Sequence, residues 1–490
     1  MNKQKRLWIL FFLALFLHYP SYCSGEISSK VVSGDREEIK SEQETKKLEE
    51  MKKRWNELIE MVSEKNPFFD FETEESKRIR EESKSEKALL AILKNTLNVE
   101  TLISLTFERN QALKAAKKEW ESKLEAYSQV AQLEDILNQF SSFVRDIDTK
   151  SGSMLHQISV KKRFPFPGAM TLKGNIVEKE VQIAKEKYDI TLRDLISDIK
   201  QTFYEWVFVL EEISITEENI ALLKELESVA AIHFRTGKGG FNDVLKAQVK
   251  IIKMEEDLKT LQEQEKVIKA KITRHLNLPL STPLGKPAGI KNAFISLSVE
   301  ELYKTALKNE QKLKLLQAEV EKTNLAIELA EKKYYPDLSL GFAYFENRQK
   351  DRVGTGKTKE AFEEKPAAKT DFWFGENDAY IREVRLKYQS LLNSLESHKD
   401  MIQYSISKHY FMFDKARREI LLYEDSLLDL ARKELDVAVA EYQTGKADFL
   451  SLLDAQTTLL KFQLDHQRAI KDYGQALAMM EQSVGVGLVK

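Results

Sequence analysis

Residues Thr236–Gln248 read TGKGGFNDVLKAQ, and residues Thr444–Gln456 read TGKADFLSLLDAQ. Paired without a gap they are identical at seven of thirteen positions: Thr236/Thr444, Gly237/Gly445, Lys238/Lys446, Phe241/Phe449, Leu245/Leu453, Ala247/Ala455 and Gln248/Gln456. Agreement of that density marks an internal duplication. Each copy closes a long helical pattern with a glycine and then opens a new helix. Glycine reaches positive φ at such a cap without steric cost. Each copy is therefore read as the tip of a helical hairpin. A repeated helix–turn–helix with no role beyond folding is the alternative at this point.

The chain around these tips has 490 residues, 42% hydrophobic and 31% charged, with 18 Gly and 9 Pro. Few breakers and many charges favour long helices. A formal net charge of -2 gives no basic patch of the kind that binds nucleic acid. At the N-terminus, Lys3, Lys5 and Arg6 precede the apolar run Leu7–Leu17, with small residues around Ser21–Gly25. This reads as an export signal over residues 1–25, with a retained anchor as the alternative. Its run is too short to span a bilayer as a helix. The single cysteine, Cys23, follows Tyr22, a poor context for lipid attachment. Without it the mature chain has no thiol chemistry. Residues 26–95 form a charged extension; in Ser33–Lys87, 30 of 55 residues are Asp, Glu, Lys or Arg. Such a segment buries little, although Trp55, Phe68, Phe69 and Phe71 offer local docking points.

The first repeat covers residues 96–280 and the second 298–490, with a proline-marked linker at 281–297. Val99-Glu100, Leu102, Gln111 and Leu113 recur as Val299-Glu300, Leu302, Gln311 and Leu313. Each set opens a first helix expected to run about 35 to 40 residues, the second from a capping box at Ser298–Glu301. Strand character follows. In the second repeat Leu338–Phe345 alternates with period two, then come a polar loop, Glu346–Lys369, and the aromatic run Phe372–Phe374. In the first, Ile158–Val160 and Phe164–Phe166 give a weaker strand, with a partner near Leu137–Arg145. A helix of about 65 residues then descends to each tip, on the order of 100 Å at 1.5 Å per residue. A returning helix of about 35 residues completes each repeat. The fold class is mainly α with a small β part: short helix, β-hairpin, long helix, tip, short helix, twice over.

Four strands do not close a barrel, and open edges invite aggregation. They span a membrane only when closed, because every backbone polar group there must be paired. A cyclic oligomer in which each chain contributes strands to one shared barrel meets both demands.

Tyr442-Gln-Thr-Gly-Lys with Phe449–Gln456, and Phe234-Arg-Thr-Gly with Phe241–Gln248, resemble the TolC-type outer-membrane efflux proteins. The resemblance covers about Asn98–Val486. It implies a homotrimer with a twelve-stranded outer-membrane β-barrel continued by a periplasmic α-helical barrel. It also implies a passive exit duct, with a periplasmic adaptor, an inner-membrane pump and outer-membrane lipid as partners. Gln157-Ile-Ser-Val and Phe164–Gly168 are similar to the branch that serves heavy-metal cation pumps. The first repeat departs from the family in its strand prolines, and the second in its long charged loop. A periplasmic adaptor or a coiled-coil scaffold is the rival reading. An adaptor has one hairpin inserted in Gly- and Val-rich β-domains, whereas this chain has two hairpins.

The seven histidines are scattered, and no nucleophile–base pair or phosphate-binding loop is present. No catalytic, cofactor or metal site is expected. His398 and His409 lie on the apolar stripe of the second long helix, where packing or hydrogen bonding suits them better than metal ligation. The resemblance places adaptor docking at the tips, on Gly237, Phe241, Leu245, Gly445, Phe449 and Leu453, with the four side chains packed. It places the gate just inside the caps, at Asp243 and Asp454 with Asn242 and Ser451. Ser451 stands where the second repeat of the family carries an acid. The alternative for both aspartates is a favourable place near a helix N-terminus.

Overall fold

The computed structural model describes residues 68–136 (except 70 and 72), 140–143, 147–149, 152–164, 169–237, 239–289, 298–332, 338–348, 358–364 and 374–488. The export signal, Cys23, Trp55, Pro165–Gly168 and Phe372-Trp373 lie outside the described residues.

In each repeat the first helix is broken, not continuous as expected. The charged extension ends in α1 (Glu74–Glu82) and α2 (Glu86–Lys94), and the first repeat opens with α3 (Val99–Arg109) and α4 (Gln111–Ile136). In the second, α7 (Val299–Asn309) is followed by α8 (Gln311–Lys332). The break residues Asn110 and Glu310 take extended backbone angles, and their side chains accept the N–H of Leu113 at 3.1 Å and of Leu313 at 2.6 Å. Each break is thus an N-cap for the next helix, satisfying an orphan donor. The capping box at Ser298 does not form: Ser298 is the N-cap residue, but its side chain accepts no bond. Asn98 does cap α3, accepting Thr101 N–H at 2.7 Å.

Between the strands and the tips run α5 (Ala169–Arg235), 67 residues, and α9 (Phe374–Leu422). A π turn, Tyr423–Leu427, interrupts the second descent before α10 (Leu428–Thr444). The returning helices are α6 (Phe241–His275) and α11 (Phe449–Val484), 35 and 36 residues. Near the strands α5 packs against α4 and α8, and α8 also packs on α9; towards the tips α5 packs against α6 and α11, and α11 on α9 and α10. The short helices thus meet end to end along the long ones. At the first meeting Arg109 and Asn110 donate to the α6-terminal carbonyls of Leu276 and His275, both at 3.1 Å. At the second, Gln311 donates to Gly485 O at 3.0 Å. Among the described residues no helix is long and apolar enough to cross a membrane, which says nothing of a β-barrel.

The strands form one antiparallel sheet spanning both repeats. β1 (Phe140–Phe143) and β2 (Ile147–Thr149) pair with β3 (Gly152–Phe164), β3 pairs with β4 (Leu338–Arg348), and β4 with β5 (Thr358–Glu364). The strand partner in the second repeat therefore lies inside the stretch read as a loop, and Phe374 begins α9. The charged, Gly-containing sequence around Thr358 hid a strand because pairing with β4, not local propensity, decides it. β1, β2 and β5 each keep an unpaired edge among the described strands.

Three larger buried clusters hold the helices. The first joins Phe68, Phe71, Leu89 and Leu93 to Leu102, Leu105, Trp206 and Ile272, so the end of the charged extension packs on the first repeat. It is clasped there by the linker: Leu97 N–H donates to Lys286 O at 2.9 Å, and Ala288 N–H to Leu97 O at 2.7 Å. The second cluster lies at the tips and the third joins α7, α9 and α11. Helices α5 and α11 approach closely at Gly474, where a β-carbon would lie 2.5 Å from the Tyr204 ring. Gly474→Val should therefore cost about 2 kcal/mol through overpacking, with Gly474→Ala intermediate. Thermal unfolding in detergent tests this, and an unchanged melting temperature for the valine variant would refute the close approach.

Candidate functional site

The two tips are built alike and lie side by side. Thr236 and Thr444 turn their hydroxyls back to helix carbonyls, Ile232 O at 3.0 Å and Ala440 O at 3.1 Å. Gly237 and Gly445 then take φ of 72° and 74°, the left-handed region that a side chain strains. Gly239 N–H closes on His233 O at 3.2 Å, and Lys446 N–H on Glu441 O at 2.9 Å. The open space around both cap glycines leaves strain alone to disfavour a side chain there.

The new helices start differently. Gly240 is the N-cap of α6 and offers no side chain. Asp448 is the N-cap of α11; its Oδ1 accepts Ser451 N–H at 3.0 Å and Ser451 Oγ–H at 2.6 Å. These bonds hold the Asp448 carboxyl below its ordinary pKa. Ser451 is thereby turned to its own helix start. Asp243 lies in the first turn of α6, whereas Asp454 is the sixth residue of α11, past the turn where a dipole acts. Asp454 and Asn242 are exposed and Asp243 is half-buried. The helix-start reading thus suits Asp243 by position and does not suit Asp454.

The expected packed ends are found at one tip only. Phe449 is buried and Leu453 partly so, but Phe241 is 53% exposed and Leu245 44%. The difference comes from the side chain three residues before each cap glycine. Tyr442 fills the space between the tips, stacked on His233 with ring centroids 4.8 Å apart and tilted on Phe449 at 5.3 Å. The counterpart of Tyr442, Phe234, points outward and leans on Phe241 at 5.3 Å. Below them Gln456, the last of the repeated residues, is wholly buried and donates to Asn219 Oδ1 at 2.9 Å. Its counterpart Gln248 donates to the half-buried Glu227 at 2.7 Å, a bond open to solvent.

Tyr442 and His233 are residues that the repeat comparison did not single out. Burial, and then the nearby Asp243 charge, push the Tyr442 phenol above its ordinary pKa. The Tyr442 hydroxyl is buried with no hydrogen-bond partner among the described residues. The sequence signal for it is that Tyr442-Gln-Thr-Gly carries a tyrosine where the other repeat, Phe234-Arg-Thr-Gly, carries a phenylalanine.

His398 and His409 serve hydrogen bonds: His398 Nε2 lies 3.0 Å from Glu310 Oε2, and His409 Nδ1 3.0 Å from Ser483 Oγ. No group of His, Cys, Asp and Glu among the described residues is arranged to hold a metal ion.

This arrangement, two helical hairpins with paired tips below a shared antiparallel sheet, is similar in fold to solved outer-membrane channels. Residues 302–486, most of the second repeat, match the family model described as outer membrane efflux protein. No curated protein matches the chain. Among solved structures, the outer-membrane channel OprN superimposes with a TM-score of 0.64 at 15% identity, over 79% of this chain and 90% of that one. The outer membrane protein VceC of Vibrio cholerae gives 0.62 at 14%, over 80% and 97%. The open-state outer membrane channel MtrE of Neisseria gonorrhoeae gives 0.59 at 15%, over 80% and 89%. Identities this low establish the fold. The names are those of channels and membrane proteins, not enzymes.

Tyr442→Phe removes an unpaired hydroxyl and keeps the ring, so it should cost nothing measurable in thermal unfolding. Tyr442→Ala should cost about 3 kcal/mol through the cavity left between the tips. Equal losses for both would show that the hydroxyl is bonded in the assembled protein.

Proposed function

We propose that the chain is the outer-membrane exit duct of a tripartite efflux or type I secretion system. It is a passive homotrimeric channel that reaches into the periplasm, working with an inner-membrane pump and a periplasmic adaptor. The observation that carries this reading is the condition of the outer edges. Helix α6 bears exposed Leu245, Val249 and Ile252 on one flank of the helical row, and α10 bears exposed Leu430 and Val437 on the other. Leu245 and Val437 each lie eight residues from their cap glycine, and Ile252 and Leu430 each fifteen. The two apolar edges are thus at matching heights. Edges that differ but complement each other associate head to tail and close into a ring. The open strand edges at the other end of the helices require the same closure. A coiled-coil scaffold has no use for a sheet whose central pair, β3 and β4, joins both repeats.

The gate reading places Asp243 and Asp454 in staggered rings of three carboxylates, beside Asn242 and Ser451. Like charges in a narrow lumen attract cations. The docking reading places the adaptor at the exposed Phe241 and Leu245 and around the caps Gly237 and Gly445, with Phe449 and Leu453 as packing beneath.

Leu245→Cys combined with Val437→Cys should yield a disulfide-linked trimer ladder from detergent-extracted outer membranes; a monomer band alone would sink the ring. Asp243→Asn with Asp454→Asn should lower cation selectivity in planar bilayers. Unchanged selectivity in an inserting trimer would move the constriction elsewhere. Gly237→Val or Gly445→Val should spare assembly and abolish adaptor crosslinking, because a β-branched residue is strained at positive φ.

A further inference from the structure

One buried carboxyl has no part in the duct reading. Ile183, Glu186 and Ile190 follow one another at i, i+3 and i+7 on α5, the spacing of a single helix stripe. Ile183 packs with Leu315 and Ala318 of α8, and Ile190 packs against the same group. This is the seam where the first repeat meets the second. Glu186, only 6% exposed, occupies the middle of that stripe. Among the described residues its carboxyl accepts no hydrogen bond, whereas buried carboxylates are ordinarily bonded or paired.

The charged groups that face it are Lys185 and Asp189 on α5, and Glu310 and Lys314 from the α7–α8 break and α8. Lys185 and Asp189 pair with each other at 3.3 Å. Glu310 is engaged on three sides: by Arg193 Nη1 at 2.5 Å, by His398 Nε2 at 3.0 Å and by Leu313 N–H at 2.6 Å. Burial alone would raise the Glu310 carboxyl, but these partners hold it below its ordinary value. On the other flank α4 meets α5 through Trp120, stacked on Tyr188 at 5.7 Å, and through Lys123, 3.6 Å from Glu180. Of the two lysines that face it, Lys185 is engaged by Asp189 and Lys314 makes no ion pair with it, and Glu186 sits beside two other carboxylates.

We propose that Glu186 makes the seam between the repeats proton-sensitive, packing as a neutral carboxyl and loosening α8 from α5 once it ionises. Burial first, and then Asp189, raise its pKa from 4.5 to about 7. A carboxyl raised on folding binds more protons in the folded state. Its contribution to stability is whole below the unfolded value, falls as pH rises to about 7 and is level above it. A local opening that returns the carboxyl to water becomes about tenfold easier at pH 8 than at pH 6 by the same linkage. The inference concerns the seam alone and stands whether or not the tips gate a duct.

The test is hydrogen exchange by mass spectrometry on the detergent-purified full chain at pH 6 and pH 8, corrected for intrinsic rates. Peptides covering 183–190 and 311–320 should lose protection about tenfold at the higher pH in the wild type. Glu186→Gln and the apolar Glu186→Leu should abolish the loss, and His398→Gln should keep it. Equal protection of the wild type at both pH values overturns the proposal, whatever the variants do. So does an undiminished loss in both Glu186 variants, or a loss that disappears only with His398.

Discussion

A helix of 67 residues buries its apolar stripe only if something as long lies beside it, and here no single helix does. Two shorter helices meet end to end along each long one. Every such meeting places the carbonyls of one helix C-terminus near the N–H groups of the next N-terminus, and these need partners. The chain meets this demand with polar side chains at each break. Asn110 accepts Leu113 N–H with its oxygen and donates its amide to His275 O. Glu310 accepts Leu313 N–H, and its neighbour Gln311 donates to Gly485 O. The rest of the helical row depends on these two joints, because without them neither long helix is covered along its length.

The two joints solve one problem with different chemistry. Asn110 is neutral and bonds only within the first repeat. Glu310 is a buried carboxylate, and its cost of desolvation is offset by Arg193 from the other repeat and His398 from the neighbouring long helix. The second joint therefore also ties the repeats together, and Gln482 extends the tie by donating to Asp194 at 2.9 Å. Gly485 completes it: at φ of 85°, with a would-be β-carbon 2.7 Å from Glu310 Cα, the position is closed to any side chain. Duplication supplied two equal joints, and divergence made one of them the bond between the copies.

The tips show the same divergence. Tyr442 and Phe449 fill the space between the hairpins, while Phe234 and Phe241 are left on the surface. A repeat pairing that is symmetric in sequence becomes asymmetric in burial, since two hairpins laid side by side have one inner and one outer flank each. Exposed aromatic and aliphatic groups on an outer flank mark a surface for association.

Much of this was legible in the residues themselves. The two cap glycines, the helix lengths and the end-to-end arithmetic follow from periodicity and from glycine's access to positive φ, both local properties of the chain. Strand β4 was legible because its side chains alternate. Local pattern did not reveal β5, whose order comes from pairing with β4, nor the breaks at Asn110 and Glu310, where the helical pattern runs on. It did not separate the buried Phe449 from the exposed Phe241, identical residues at equivalent positions. It also could not mark Glu186, which in sequence is one charge among many on a long helix. The sequence by itself determined the duplication, the tip turns and the lengths of the long and returning helices, because these are set by neighbours along the chain. Only the tertiary structure decided which copy of each residue is inside, because burial and pairing depend on partners that lie far away in sequence.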